Sequence, residues 1–209
     1  MTIGVLGVKA AIRFLCERAK GELPKVIAIS GGTCSGKTTF ASKLKSVLQD
    51  MGISVRVVPL DSYYKDHDDP GFPKDKQKRH LLDVPGAFFG NEFLADISAL
   101  AYGNSVRIPV YHLPTNKRLI GQSVSLCPAQ TIIAEGLFAG YFMLRSTLPV
   151  FYIFIDTPAE VCLERRIERD TRLYGVSPSQ VRVFFRSRIL PYWEEYASMQ
   201  RQSADLVIS

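Results

Sequence analysis

The chain has 209 residues, 46% of them hydrophobic and 22% charged, with a formal net charge of +6. Such a length suits one domain that buries its own core, and the composition excludes a disordered or fibrous chain. The positive balance suits an anionic partner without choosing between a small phosphate-bearing ligand and nucleic acid. Cys16, Cys34, Cys127 and Cys162 form no C-x-x-C pair, and no His/Cys cluster has zinc spacing. Free thiols and a reducing, cytoplasmic setting are therefore expected. The apolar run from Ile3 to Val8 is too short to span a bilayer and lacks a basic stretch before it, so neither a membrane segment nor a secretory signal is expected.

Residues 5–20 mix apolar and basic positions at helical spacing, and Gly21 and Pro24 break the pattern. This predicts an amphipathic helix before the main fold. Val26–Ser30 is wholly apolar, as a buried parallel strand should be. Residues 37–50 read as a helix closed by Gly52, and Ile53–Leu60 as a second strand ending at Asp61. The stretch 65–80 is dense in charge, proline and glycine and reads as an exposed, mobile loop. Residues 88–102 predict another helix. Two β-like runs around 106–111 and 123–126, with P-T-N-K between them, predict an inserted hairpin. Two further apolar strands end at Glu135 and Asp156. Thr157-Pro158-Ala159-Glu160 and Ser177-Pro178-Ser179-Gln180 each offer an N-cap, a first-turn proline and a capping-box partner for a following helix. Asp205–Ile208 reads as a last strand. Strands alternating with helices argue for an α/β domain with a mainly parallel sheet flanked by helices.

Gly31-Gly32-Thr33-Cys34-Ser35-Gly36-Lys37-Thr38 fits the G-x-x-x-x-G-K-[ST] pattern of a P-loop, with an apolar strand before it and a helix after it. Its glycines let backbone N–H groups close on phosphate oxygens, and the helix directs its positive end at the same anion. Lys37 is placed to neutralise β- and γ-phosphate charge, and Thr38 offers a hydroxyl to Mg²⁺. Cys34 is expected to contribute only its backbone.

In open parallel sheets ligands lie beyond the carboxyl ends of the strands. Asp61, Glu135 and Asp156 each follow an apolar strand directly. Glu135 is a candidate Mg²⁺ ligand, Asp61 a candidate base or orienter for an acceptor hydroxyl, and Asp156 a structural neighbour of the Thr157 cap. Arg165, Arg169 and Arg172 share one helical face and, with Arg166, read as a lid that brings guanidinium groups onto a transferring phosphoryl group. Together these residues predict transfer of the terminal phosphoryl group of ATP, or another nucleoside triphosphate, to a small molecule. The basic loop 74–79 lacks interleaved aromatics, so nucleic acid is not the expected partner. A homo-oligomer is compatible with the sequence.

From about Lys25 to Ile208 the chain resembles the uridine–cytidine kinase family of P-loop kinases. The similarity rests on the P-loop through Thr39, on Asp61-Ser62-Tyr63-Tyr64-Lys65, and on Leu82-Asp83-Val84-Pro85-Gly86-Ala87-Phe88. It extends to Pro109-Val110-Tyr111, Ile133-Ala134-Glu135-Gly136 and Arg165-Arg166-Ile167-Glu168-Arg169-Asp170. The resemblance implies a P-loop NTPase fold with an inserted hairpin and a helical lid. It implies a single kinase domain at 25–209 after an N-terminal helical extension at 1–24. Asp61, with Lys37 and Arg169, would be catalytic. Gly31, Gly32, Thr33, Cys34, Ser35, Gly36, Lys37, Thr38 and Thr39 would bind the nucleotide, and Thr38 and Glu135 the metal. Tyr64, Asp83, Tyr111 and Arg166 would contact the acceptor, expected to be a nucleoside, with Asp83 on its ribose hydroxyls; the alternatives are a kinase of another alcohol, such as a sugar phosphate or a vitamin precursor, and a nucleotide-binding regulator without phosphotransfer. The sequence departs from the family pattern at His112, Leu113 and Asn116, at Leu173-Tyr174-Gly175-Val176, where lid arginines usually stand, and at Phe184, where a glutamine is usual.

Overall fold

The computed structural model describes residues 5–19 and 23–209. The helix break expected at Gly21 and the start of the Ile3–Val8 run lie outside the described residues. A short strand, β1 (Val5–Leu6), leads into helix α1 (Val8–Ala19). Strand β2 (Val26–Gly31) is buried along its whole length and runs through the P-loop into α2 (Lys37–Asp50). Phe40, Ala41, Leu44 and Leu48 recur at helical spacing, so one stripe of α2 is buried while Ser42, Lys43 and Ser46 are exposed. Strand β3 (Val55–Pro59) ends in a 3₁₀ turn, Leu60–Tyr63, which carries Asp61. Helix α3 (Gly90–Ala101) precedes the hairpin β4 (Val106–His112) and β5 (Lys117–Leu126). Then come β6 (Thr131–Glu135), α4 (Ala139–Met143) and β7 (Val150–Ile155). Helices α5 (Ala159–Tyr174) and α6 (Pro178–Phe184), a π-helical turn (Phe185–Ile189) and α7 (Leu190–Gln202) precede the final strand β8 (Leu206–Ile208).

Six strands form one sheet in the order β1-β8-β7-β2-β6-β3, and every pair in it is parallel. Both faces are covered, which is why its central strands read as unbroken apolar runs. Val26, Ala28, Ile132, Ala134, Tyr152 and Phe154 join one core with Phe93 and Ile97 of α3 and Ala139 and Met143 of α4. Ile27, Ile29, Ile133, Phe151, Ile153 and Ile155 join the other with the buried stripe of α2. Ala11 and Leu15 of α1 lie in that second core, and β1 extends the sheet at its β8 edge. The N-terminal segment thus supplies a strand as well as the expected helix. A third, smaller cluster joins Cys162, Leu163 and Ile167 of α5 to Val181, Phe185 and Ile189.

Two local expectations are corrected. Ser177 caps α6 in a full capping box with Gln180, but Thr157 caps nothing: α5 begins after Pro158, and the Thr157 hydroxyl donates to Ser35 O at 2.8 Å. The helix starts one residue later than that pattern places it, and the hydroxyl ties the start of α5 to the phosphate loop. The loop 65–80 is tied down rather than free. His67 and His80 stack at 4.6 Å, with Phe72 edge-on to both and itself buried. Arg188 Nη2 donates to His80 O, and Lys117 Nζ donates to Asp68 Oδ2.

Close approach to the sheet also dictates the start of α4. The Gly140 N–H donates to the buried Ser30 Oγ at 2.7 Å, and a Cβ at Gly140 would overlap the Tyr152 ring. Gly140→Ala should therefore lower stability by about 1–3 kcal/mol through overpacking, read as a drop in the urea midpoint at unchanged m.

Candidate active site

The phosphate loop takes its shape from two left-handed residues, Cys34 (φ 57) and Gly36 (φ 100), which turn successive peptide N–H groups towards one concavity. Lys37, the first residue of α2, is buried, and its Nζ donates to Gly32 O at 2.6 Å. Ser35 Oγ is buried with no hydrogen-bond partner. From behind, Trp193 of α7 fills the space that any side chain at Gly32 would need. This wedge joins α7 to the loop, and no periodicity or motif in the sequence signals it.

The parallel register brings the carboxylates to the same place. Glu135 pairs with Ile29 of β2 on one side and Pro59 of β3 on the other, so both neighbouring strands end beside the loop. Glu135 is buried and accepts from Thr38 Oγ1 at 3.3 and 3.4 Å. Asp61 opens onto the cleft one turn beyond β3. Desolvation by the surrounding protein raises the pKa of both groups. Lys37 opposes the rise at each, joined by Arg169 at Asp61, while Asp61 adds to it at Glu135. Asp156 takes no part: it pairs with Arg201 Nε at 3.1 Å and does not line the cleft.

Helix α5 lies across the loop. Arg165 Nη1 donates to Cys34 O and Ser35 O at 3.4 and 3.3 Å, and Arg166 Nη1 donates to Thr33 Oγ1 at 2.8 Å. Arg169 lines the cleft, while Arg172, expected on the same face, is exposed and does not. Asp170 is buried and accepts from Nε of both Arg166 and Arg169, at 3.2 and 2.8 Å. The sequence placed Asp170 in a charged helix and at the end of its family motif, without giving it a role.

At the far end of the cleft the buried Tyr64 ring lies between Phe88 and Tyr111, with centroids 4.1 and 5.4 Å away. Burial, then the charges of Asp61 and Asp83, hold its pKa well above the usual value, so it remains an O–H donor. Asp83 Oδ2 is sealed from solvent and has no hydrogen-bond partner among the described residues. Leu82, Leu113 and Asn116 complete this end of a cleft of about 860 Å³ that also holds the loop, Asp61, Glu135, Arg165, Arg166, Arg169 and Tyr174. His112 bonds Thr115 Oγ1 through Nδ1 at 2.8 Å and does not line the cleft. Phe184 places its ring 5.8 Å from the Arg166 guanidinium.

Residues 26–209 match the Phosphoribulokinase / Uridine kinase family. The chain belongs to that family. The uridine kinase of Escherichia coli strain K12 is 31% identical over 186 residues, covering 88% of this chain and 85% of that protein. Among solved structures, a candidate fructose transport system kinase from Silicibacter sp. TM1040 superposes with a TM-score of 0.73 at 19% identity, covering 97% of this chain and 98% of the other. A candidate uridine kinase from Bacillus stearothermophilus gives 0.60 at 19% identity, covering 97% and 99%. The two structures share the fold, a mainly parallel sheet flanked by helices with an antiparallel hairpin. Membership of the phosphoribulokinase/uridine kinase family makes the chain a small-molecule kinase with a nucleotide-binding P-loop. No described helix is long and apolar enough to cross a membrane.

Within this family cleft, Thr38 and Glu135 offer hard oxygen donors on adjacent residues of the structure. Among the described residues no three His, Cys, Asp or Glu side chains form a metal cage. The donor set therefore fits a Mg²⁺ ion that keeps water and phosphate oxygens in its shell, and not a fully protein-bound metal.

Two outcomes follow from this geometry. Burial raises the Asp83 pKa above its ordinary 3.8, with Arg166 and Lys37 opposing the rise. A carboxylate with a raised folded pKa costs stability as pH climbs from its unfolded pKa through its folded one. Asp83→Asn should thus raise the thermal midpoint of the ligand-free protein at pH 7, and the gain should vanish below the ordinary 3.8; a lower midpoint at pH 7 would contradict the stated cause. Trp193 is the single tryptophan in the chain and backs the phosphate loop. Its emission should change on titration with ATP, and Gly32→Ala should abolish that change.

Proposed function

We propose that this chain transfers the terminal phosphoryl group of ATP, or another nucleoside triphosphate, to a small-molecule hydroxyl, with Mg²⁺ as cofactor. The acceptor in this reading is a nucleoside of the uridine or cytidine kind, phosphorylated on its 5′-OH. Membership of the family and likeness to uridine kinase support the kinase chemistry. The observation that carries a ribose-bearing acceptor is Asp83, a half-buried residue with one sealed oxygen that has no partner among the described residues, in the same cleft as Asp61. Sealing that oxygen without a partner is costly, and a diol would supply the missing donors.

In this reading the backbone of Gly31–Thr39 cradles the nucleotide phosphates and Lys37 leaves Gly32 O for them. Thr38 and Glu135 would hold the cation, which would supply charge neutralisation to the phosphates. Tyr64, Tyr111 and Arg166 position the acceptor. Asp61 accepts the proton of its hydroxyl, its raised pKa making it a better base than a free aspartate. Arg169 faces the charge that develops on the equatorial oxygens. Catalysis is then chiefly positioning and preorganised charge.

A second reading keeps the chemistry and changes the acceptor to another alcohol, a sugar phosphate or a vitamin precursor. The apolar Leu82 and Leu113 at the acceptor end favour it, because they offer a polar base little to bond. Purified protein, ATP and Mg²⁺ with a panel of ribonucleosides, 2′-deoxyribonucleosides, sugar phosphates and other alcohols separates the two. The nucleoside reading expects turnover with ribonucleosides that falls sharply without the 2′-OH; turnover only with a non-nucleoside alcohol overturns it. With the best acceptor, Lys37→Ala and Asp61→Ala should each cut kcat by on the order of 10²–10³ or more. Substantial turnover by Asp61→Ala removes Asp61 from this role.

A further inference from the structure

Asp170 stands where a carboxylate is least expected. It lies in the C-terminal half of α5, whose end already carries partial negative charge, and it is buried. Among the described residues its side chain bonds only partners on its own helix. Oδ2 takes Arg166 Nε at 3.2 Å, and Oδ1 takes Arg169 Nε at 2.8 Å. One carboxylate therefore holds two neighbouring guanidinium groups by the same atom of each. That choice of atom matters, because a guanidinium fixed at Nε keeps its terminal nitrogens for other partners. Arg166 spends Nη1 on Thr33 Oγ1 of the phosphate loop. Arg169 lines the cleft, and its charge is felt at both Asp61 and Asp83.

We propose that Asp170 is a positioning residue that aims Arg166 and Arg169 into the cleft together, linking the acceptor end of the site to the phosphate end through one carboxylate. The two arginines serve different steps in the proposed function, and the kinetic part of this inference rests on that reading. Losing Asp170 frees two long side chains, so both steps suffer from one substitution. An aspartate that merely balanced helix charge would affect stability and leave the kinetic constants in proportion.

The test has a kinetic arm and a spectroscopic arm on the full-length protein. Arg166→Met should chiefly raise the acceptor KM and Arg169→Met chiefly lower kcat. Asp170→Asn should do both, each by about tenfold. In the Arg166→Met/Arg169→Met background, Asp170→Asn should add nothing, because its effect passes through those residues. An equal loss in that background overturns the proposal. For the second arm, the Arg166 and Arg169 Nε–H signals in ¹⁵N NMR should be shifted downfield and slow to exchange in the wild type, and should collapse to free-arginine positions in Asp170→Asn. Unmoved signals also overturn it. Asp170→Glu guards against a folding defect: it keeps the charge and the thermal midpoint but displaces both arginines, so kcat falls and the signals move. Wild-type kinetics and unmoved signals in Asp170→Glu are again fatal to the proposal. A wild type without turnover on any acceptor removes the proposed function, and the Nε–H signals then decide this inference alone.

Discussion

Keeping several carboxylates together in one partly dry cleft is the constraint on which the rest of this structure depends. Glu135 and one oxygen of Asp83 are sealed from water, Asp61 is exposed to the same cleft, and desolvation disfavours each as an anion. They persist because Lys37, Arg166 and Arg169 stand opposite them. The same cations would repel one another without the acids. The site is thus a balanced set of charges in which neither sign is tolerable alone, and phosphate or metal would enter by rearranging that balance.

The fold supplies this set from three directions. A wholly parallel sheet sends the carboxyl ends of β2, β3 and β6 to one edge, so the phosphate loop, Asp61 and Glu135 meet without long connections. Helix α5 brings the arginines in from above and anchors them to loop atoms through Arg165, Arg166 and Thr157. Helix α7 closes the back of the loop with Trp193. The sheet edge lies between two cores, Trp193 packs against one of them and α5 belongs to the third, so all three packing units meet at the site.

Much of this was legible in the sequence, for identifiable reasons. Apolar runs ending in an acid located Asp61 and Glu135, because strand register fixes the direction of whatever follows the strand. The P-loop pattern located Lys37 and Thr38, because spacing along one loop is a local property. What escaped reading was tertiary. Thr157 has the neighbours of an N-cap, yet a loop carbonyl claims its hydroxyl. Residues 65–80 have the composition of a free loop, yet a His–Phe–His stack pins them. The wedge of Trp193 depends on which surfaces meet, and so does the burial of Asp170, although its grip on Arg166 and Arg169 stays within α5. The strand at Val5–Leu6 had a signal, the short apolar run at the N-terminus, but a single turn of helix would show the same signal.

The small cluster of Cys162, Leu163, Ile167, Val181, Phe185 and Ile189 is distinct from both cores of the sheet. Its cohesion comes from within the helical cap rather than from the body of the molecule. Tilting α5, α6 and the π-helical turn away from the phosphate loop as one unit would therefore break polar links at Arg165, Arg166 and Thr157 while leaving this packing whole. Such a displacement is a rigid-body swing and not a partial unfolding. A cap that moved in this way would keep these six side chains together, so its cost would lie mainly in polar contacts that water can replace.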